Sequence, residues 1–154
     1  KFRIEQLALC PRDPEAAKKL LTEMGAGKWA EDHVIARGEV FGDKCRNEAD
    51  LAFEYELFKG NEVEVLHYTD GNNWMKFAPN TVSHLGMHCS ADELLKWREF
   101  FRVRDIPVAQ EVVTESHTNP HIAGTRWYNY VIFDTRDVLG VDVKFIVRLD
   151  AQPK

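Results

Sequence analysis

Long apolar runs are missing from the 154-residue sequence, which contains nothing near the ~18 residues that a membrane-spanning helix requires. The opening Lys1-Phe2-Arg3 also lacks the apolar stretch of a secretory signal, so a cytoplasmic location with no membrane partner is expected. Positive charge is in short supply: 20 Lys and Arg against 25 Asp and Glu give a formal charge of −5, which argues against a phosphate backbone as the main partner. No nucleic acid is expected. Cysteine is scarce. The three present, Cys10, Cys45 and Cys89, are odd in number and show no C-x-x-C spacing, which speaks for reduced thiols over a disulfide framework or a zinc knuckle, with Cys10 and Cys89 buried. Also absent are the G-x-S-x-G elbow, the phosphate loop, H-E-x-x-H and the EF-hand pattern, so covalent hydrolases and nucleotide motors have no foothold. His117 and His121 have a zinc-like separation, but Asn119-Pro120 between them prevents the helix that would align them. They read as part of a loop.

What remains is an ordinary globular balance, 44% hydrophobic and 29% charged, in a chain of single-domain length. At this size folding removes roughly two-thirds of the extended chain's surface from water, so a core needs no metal or disulfide to hold it.

Period-two alternation and turn residues divide the chain into strands and helices. A strand from Phe2 to Cys10 ends at Pro11, and Asp13-Pro14-Glu15 supplies a cap, a first-position proline and an acidic first turn for a helix. Ala17, Leu20, Leu21 and Met24 follow at helical spacing, and Gly25 ends the element. Strands are expected over 33–41, 50–58 and 62–68. Asp70-Gly71-Asn72-Asn73 and Pro79-Asn80 then mark a connection. The same order returns: a strand over 82–89, a helix opened by Ser90 or Asp92 and running to about Val103, and strands over 108–114, 127–133 and 141–149. Leu94, Leu95, Trp97, Phe100 and Phe101 form the apolar face of that second helix.

Corresponding landmarks recur at nearly one offset. Gly60 and Gly140 stand 80 residues apart, Gln6 and His84 78, and Asp13 and Asp92 79. Two copies at this period are too few and too long for a solenoid. The chain reads as one domain, 1–154, made of two βαβββ modules, about 1–68 and 82–150, joined by a linker at 69–81. The fold expected is α+β: paired modules forming a curved mixed sheet around a cleft, with helices outside.

Strand facing shows what such a cleft would hold. In the last strand Val143, Phe145 and Val147 point one way, while Asp142, Lys144, Ile146 and Arg148 point the other. Charge in the middle of a sheet is tolerable where that face lines solvent or a wet cavity. His84, Gly86 and His88 share a face, and Trp127 opposes Tyr128 and Tyr130, so one aromatic set can wall a ligand cavity. Under the duplication, Gln6, Glu64, His84 and Lys144 converge.

Those residues carry a resemblance to the vicinal oxygen chelate superfamily, which includes glyoxalase I, bleomycin-resistance proteins and extradiol dioxygenases. Its modules open with a pattern like His-x-x-x-x-x-x-Asp, seen here as Gln6-Leu-Ala-Leu-Cys-Pro-Arg-Asp13 and, one residue longer, as His84-Leu-Gly-Met-His-Cys-Ser-Ala-Asp92. They close with a pattern like Gly-x-x-apolar-Glu, seen as Gly60-Asn-Glu-Val-Glu64 and Gly140-Val-Asp-Val-Lys144. The resemblance covers nearly the whole chain and implies the glyoxalase/bleomycin-resistance/dioxygenase fold. It also implies metal ligands at the matched positions, here Gln6, Glu64 and His84. Lys144 stands where a carboxylate belongs and argues against glyoxalase I activity, because an ammonium has no lone pair to give a cation.

Three readings stay open. The leading one is a glyoxalase/bleomycin-resistance-like protein that binds a small polar or aromatic molecule in the cleft through Gln6, Glu64, His84, His88, Lys144 and Asp142, its catalytic ability undecided. The second is a metal-assisted lyase, isomerase or dioxygenase using zinc, nickel, manganese or iron on Gln6, Glu64 and His84, with His88 or Lys144 as the catalytic candidates. The third is a degenerate fold serving as a protein-interaction module. Superfamily members often dimerise, so a homodimer is an expected assembly.

Overall fold

The computed structural model describes residues 1–77 and 79–153. Position 78 of the linker and position 154 lie outside the described residues. The first half runs β1 (Gln6–Cys10), α1 (Pro14–Glu23), β2 (Ala30–Val40), β3 (Asp43–Phe58) and β4 (Asn61–Asp70). A short α2 (Trp74–Phe77) leads to β5 (Thr81–His88), α3 (Ala91–Arg102), β6 (Val108–Ser116), β7 (Trp127–Phe133), α4 (Arg136–Leu139) and β8 (Asp142–Leu149). No helix among the described residues is long and apolar enough to cross a membrane.

Local chemistry explains the helix starts. Asp13 accepts a hydrogen bond from the Ala16 amide at 3.0 Å, with Pro14 at the first helical position, where its missing N–H costs nothing. Of the two candidate caps for α3, Ser90 is the one used: it accepts from the Glu93 amide while Glu93 reaches back to the Ser90 N–H.

The eight strands form one mixed sheet in the order β1-β4-β3-β2-β6-β7-β8-β5, which returns to β1. Within each half the neighbour order is the same, and the first and last strands pair in parallel, β1 with β4 and β5 with β8. Two antiparallel seams join the halves. One pairs β1 with β5; the other pairs Val34–Val40 of β2 with Gln110–Ser116 of β6. Where a curved mixed sheet around a cleft was expected, this second seam closes the mixed sheet into a barrel. The seam pairs seven residues of each strand, and at eight strands the interior is just wide enough to be filled by side chains. Gly38 makes the contact close, because a Cβ there would lie 1.9 Å from the Glu111 carbonyl oxygen.

Alternation divides the side chains between two cores. On one face of β7 and β8, Val131, Phe133, Val143, Phe145 and Val147 pack against Leu94 and Phe101 of α3. Phe101 stacks on Phe133 at 4.3 Å between centroids and Trp97 on Phe145 at 5.2 Å. Each such side chain gains about 1.5–3 kcal/mol by leaving water. The opposite face looks into the lumen, where Val34, Ala49, Leu51 and Leu66 cluster with Phe53 and Tyr68. Helix α1 departs from its sequence pattern. It buries no residue fully, and Leu20 and Met24 are 58% and 64% exposed.

The linker does more than connect. Asn73 is buried, donates through Nδ2 to Gln110 Oε1 (2.5 Å) and through its amide to Asn47 Oδ1 (3.1 Å), and accepts from the Met75 amide (2.8 Å). Asn47 also donates to Gln110 Oε1 at 3.3 Å. Met75 is buried, and the Arg136 guanidinium lies 5.1 Å from the Trp74 ring. The segment is a stopper at one end of the barrel.

Candidate functional site

Register places the polar cluster. Ala8 in the middle of β1 has Glu64 of β4 as its partner on one side and His84 of β5 on the other. Its small side chain leaves both neighbours room. Two residues earlier, Gln6 projects from the same face of β1, and Lys144 projects from β8, paired across to Gly86. Gln6, Glu64, His84 and Lys144 are all buried.

A hydrogen-bonded chain runs through two of them and on to Glu62 and Tyr55. His84 Nε2 lies 2.6 Å from Gln6 Oε1, Gln6 Nε2 donates to Glu62 Oε1, and the Tyr55 hydroxyl donates to Glu62 Oε2 at 2.8 Å. Since Gln6 presents its carbonyl oxygen, His84 Nε2 must carry the proton, and Nδ1 accepts from the Ser83 hydroxyl at 3.0 Å. Burial holds the His84 pKa well below the usual histidine range, reinforced by the charge of Lys144. The ring is neutral.

Glu64 and Lys144 do not bond to each other. Glu64 Oε1 has no hydrogen-bond partner: His84 Nε2 stands 3.4 Å away, but its N–H points at Gln6. The Lys144 ammonium sits 3.8 Å from the centre of the Tyr130 ring, and among the described residues no oxygen lies within hydrogen-bond or ion-pair distance of it. Burial pushes Glu64 up to about 7 against the opposing pull of Lys144, and burial lowers Lys144 against the pull of Glu64. Both face one cavity of about 20 Å³, room for about one water molecule.

The other two sequence candidates lie elsewhere. Asp142 is buried on the inward side of β8 but is held by Arg136 Nε at 3.3 Å, and burial raises it to about 6 despite that partner. His88 ends β5, with its side chain 51% exposed and 4.0 Å from Glu5. It shares the facing of His84 but has passed the edge of the barrel.

The metal that the resemblance implies meets two obstacles at these donors. A divalent ion on His84 would need the Nε2 lone pair, yet Nε2 carries its proton toward Gln6; beside Glu64, the ion would meet the Lys144 charge. The donor set as folded does not fit a divalent ion.

No family model matches the chain, and no curated protein matches it.

Some of the lumen was missed in the sequence. Gln110, Thr114 and Tyr68 line the same cavity as Glu64 and Lys144. The alternation Gln110-x-Val112-x-Thr114 was the available signal, and only the closed seam turns it inward. Tyr130 lines the cavity too, from one of the two aromatic sets that the alternation of its strand offered as a cavity wall. A separate groove of about 270 Å³ lies beside α1 and is lined by Glu15, Lys18, Glu31, His33 and Asp50. There the charges satisfy one another: Lys18 bridges Glu15 and Glu31, while His33 meets Asp50 at 2.7 Å and Glu48 at 3.1 Å. The lumen pair has no such pairing.

Proposed function

We propose that the protein binds a small polar molecule inside the barrel, with one polar group of the ligand seated between Lys144 and Glu64. One observation carries the reading: two buried side chains of opposite charge face a shared cavity, Glu64 Oε1 has no hydrogen-bond partner, and among the described residues the Lys144 ammonium has no ion-pair partner. Removing a carboxylate and an ammonium from water costs several kcal/mol each, and apolar residues at both positions would serve folding better. Perturbed titratable groups of this kind concentrate at binding and catalytic sites. A group that accepts from Lys144 and donates to Glu64 would complete both. Tyr130 offers an aromatic wall, and Leu51, Leu66 and Ile132 offer an apolar one.

The same reading takes the two halves as copies of one βαβββ module of the glyoxalase/bleomycin-resistance/dioxygenase kind, with the cleft between them closed into a lumen. Their shared neighbour order and the placing of Gln6, Glu64, His84 and Lys144 on corresponding strands support it. A ligand larger than water requires lumen side chains or the stopper to shift.

A thermal-shift screen of small hydroxylated, carbonyl and aromatic compounds tests the proposal. A ligand selective for the folded form raises the melting temperature by about 2–4 °C per kcal/mol of added stability. The shift should disappear in Glu64→Gln and Lys144→Met. A screen without shifts, or shifts unchanged in both variants, overturns the reading.

A further inference from the structure

Resting on the reading of the lumen as a ligand site, we propose that Lys144 condenses with a small aldehyde to form an imine, with Glu64 carrying the proton. The lumen offers one nitrogen suited to the attack. The Gln6 amide is not nucleophilic, and His84 Nε2 holds its proton against Gln6. Lys144 alone ends in an amine, and it is desolvated, the state in which lysine serves as a carbonyl nucleophile. A lysine clamped in a tight ion pair would have its lone pair engaged. Among the described residues the ammonium of this one has no ion-pair or hydrogen-bond partner; it sits over the Tyr130 ring and lines the same cavity as Glu64.

The steps balance. A water molecule relays a proton from the ammonium to Glu64, since the two are not in contact, and the freed Nζ lone pair attacks the carbonyl carbon while the carbonyl π pair moves to oxygen. A proton passes from nitrogen to that oxygen, giving a carbinolamine. Glu64 then returns its proton to the hydroxyl, which leaves as water as the nitrogen lone pair closes the C=N bond. Lysine ammonium and aldehyde become protonated imine and water, with no oxidant or reductant required. One cation beside one carboxylate exists before and after, so the charge of the lumen is unchanged, and the Tyr130 ring faces a cation in both states. The cavity as folded holds about one water molecule, so a one- or two-carbon aldehyde asks the smallest shift of the lumen side chains and larger ones are disfavoured. Tyr130 is only half-buried, so the wall that covers the amine also reaches the surface.

The test uses the full chain with acetaldehyde below stoichiometry and cyanoborohydride to reduce any imine, followed by peptide mass mapping. Lys144 should gain an ethyl group ahead of exposed lysines such as Lys19. Glu64→Gln should slow labelling at position 144 by roughly 100-fold, the size of a lost general acid, without changing Lys19. Because the first readout needs no variant, a misfolded Glu64→Gln does not remove it. Ethylation of exposed lysines with Lys144 untouched overturns the imine. Ethanol, which cannot condense, separates the two proposals: a thermal shift with ethanol but no adduct at Lys144 leaves binding standing and rejects the imine, and neither signal rejects both.

Discussion

Gly38 of β2 lies opposite Val112 of β6, and a methyl group on Gly38 would stand 1.9 Å from the backbone oxygen of Glu111. The seam that closes the barrel therefore depends on a missing side chain. Gly38→Ala should destabilise the fold by about 1–3 kcal/mol, the usual cost of overpacking. The loss should be local as well as global: in hydrogen exchange, amides of β2 and β6 should lose protection before those of β7 and β8. Unchanged exchange along the seam contradicts the close approach.

Gln110 joins the stopper to the wall, because its carbonyl oxygen accepts from both Asn73 and Asn47. Gln110→Leu keeps the volume and orphans two buried donors, at about 1–3 kcal/mol each. Limited proteolysis should then cut near residues 71–77, where the wild type resists. Gly71→Ala should act similarly, since φ is +103° there and a Cβ would meet Asn47 Oδ1 at 2.1 Å.

Stability should depend on pH in a direction set by the buried acids. Glu64 and Asp142 are raised in the folded state, to about 7 and about 6, so folded protein holds more protons than unfolded between the ordinary carboxyl range and those values. Stability therefore falls as pH climbs through that window. His84 works the other way, because its folded pKa is depressed and the unfolded chain binds a proton below about 6.5. Urea unfolding should show a maximum on the acid side of neutrality, with stability declining toward pH 8. A rise between pH 6 and 8 would falsify the placing of Glu64 and Asp142.

Lys144 and Glu64 should be strongly coupled. Glu64→Gln leaves a buried ammonium with only the weaker pull of Glu62 to oppose it, at a cost of up to about 3–5 kcal/mol. Lys144→Met should cost less near neutral pH, because Glu64 can take up a proton, and it should carry the stability decline to higher pH. The double variant Glu64→Gln/Lys144→Met should recover most of the loss. A double-mutant cycle that sums to zero coupling excludes interaction across the cavity.

Facing was legible in the sequence and depth was not. Period-two alternation put Lys144 and Ile146 opposite Val143 and Phe145, and the structure divides them between lumen and α3 in that way. The recurring offset brought Gln6, Glu64, His84 and Lys144 to neighbouring strands, where Ala8 links Glu64 to His84. Alternation does not say where a strand leaves the barrel, so His88 shared the facing of His84 yet lies in solvent. Nor does it show whether edge strands meet, which rests on the close approach at Gly38. The stopper escaped notice because Asn72, Asn73 and Gly71 have turn chemistry, and turn residues carry no mark distinguishing an exposed loop from one folded inward. Helix α1 shows the converse: Leu20 and Met24 are spaced as an apolar face but remain exposed.

The segment that ties the halves together is also the one buried in the barrel's end. A hinge free to lengthen would let one copy lend half its strands to a neighbour; here that hinge is anchored at Asn73 and Met75. Trading halves between copies would first have to pull both stoppers out and part Asn47 and Gln110 from Asn73.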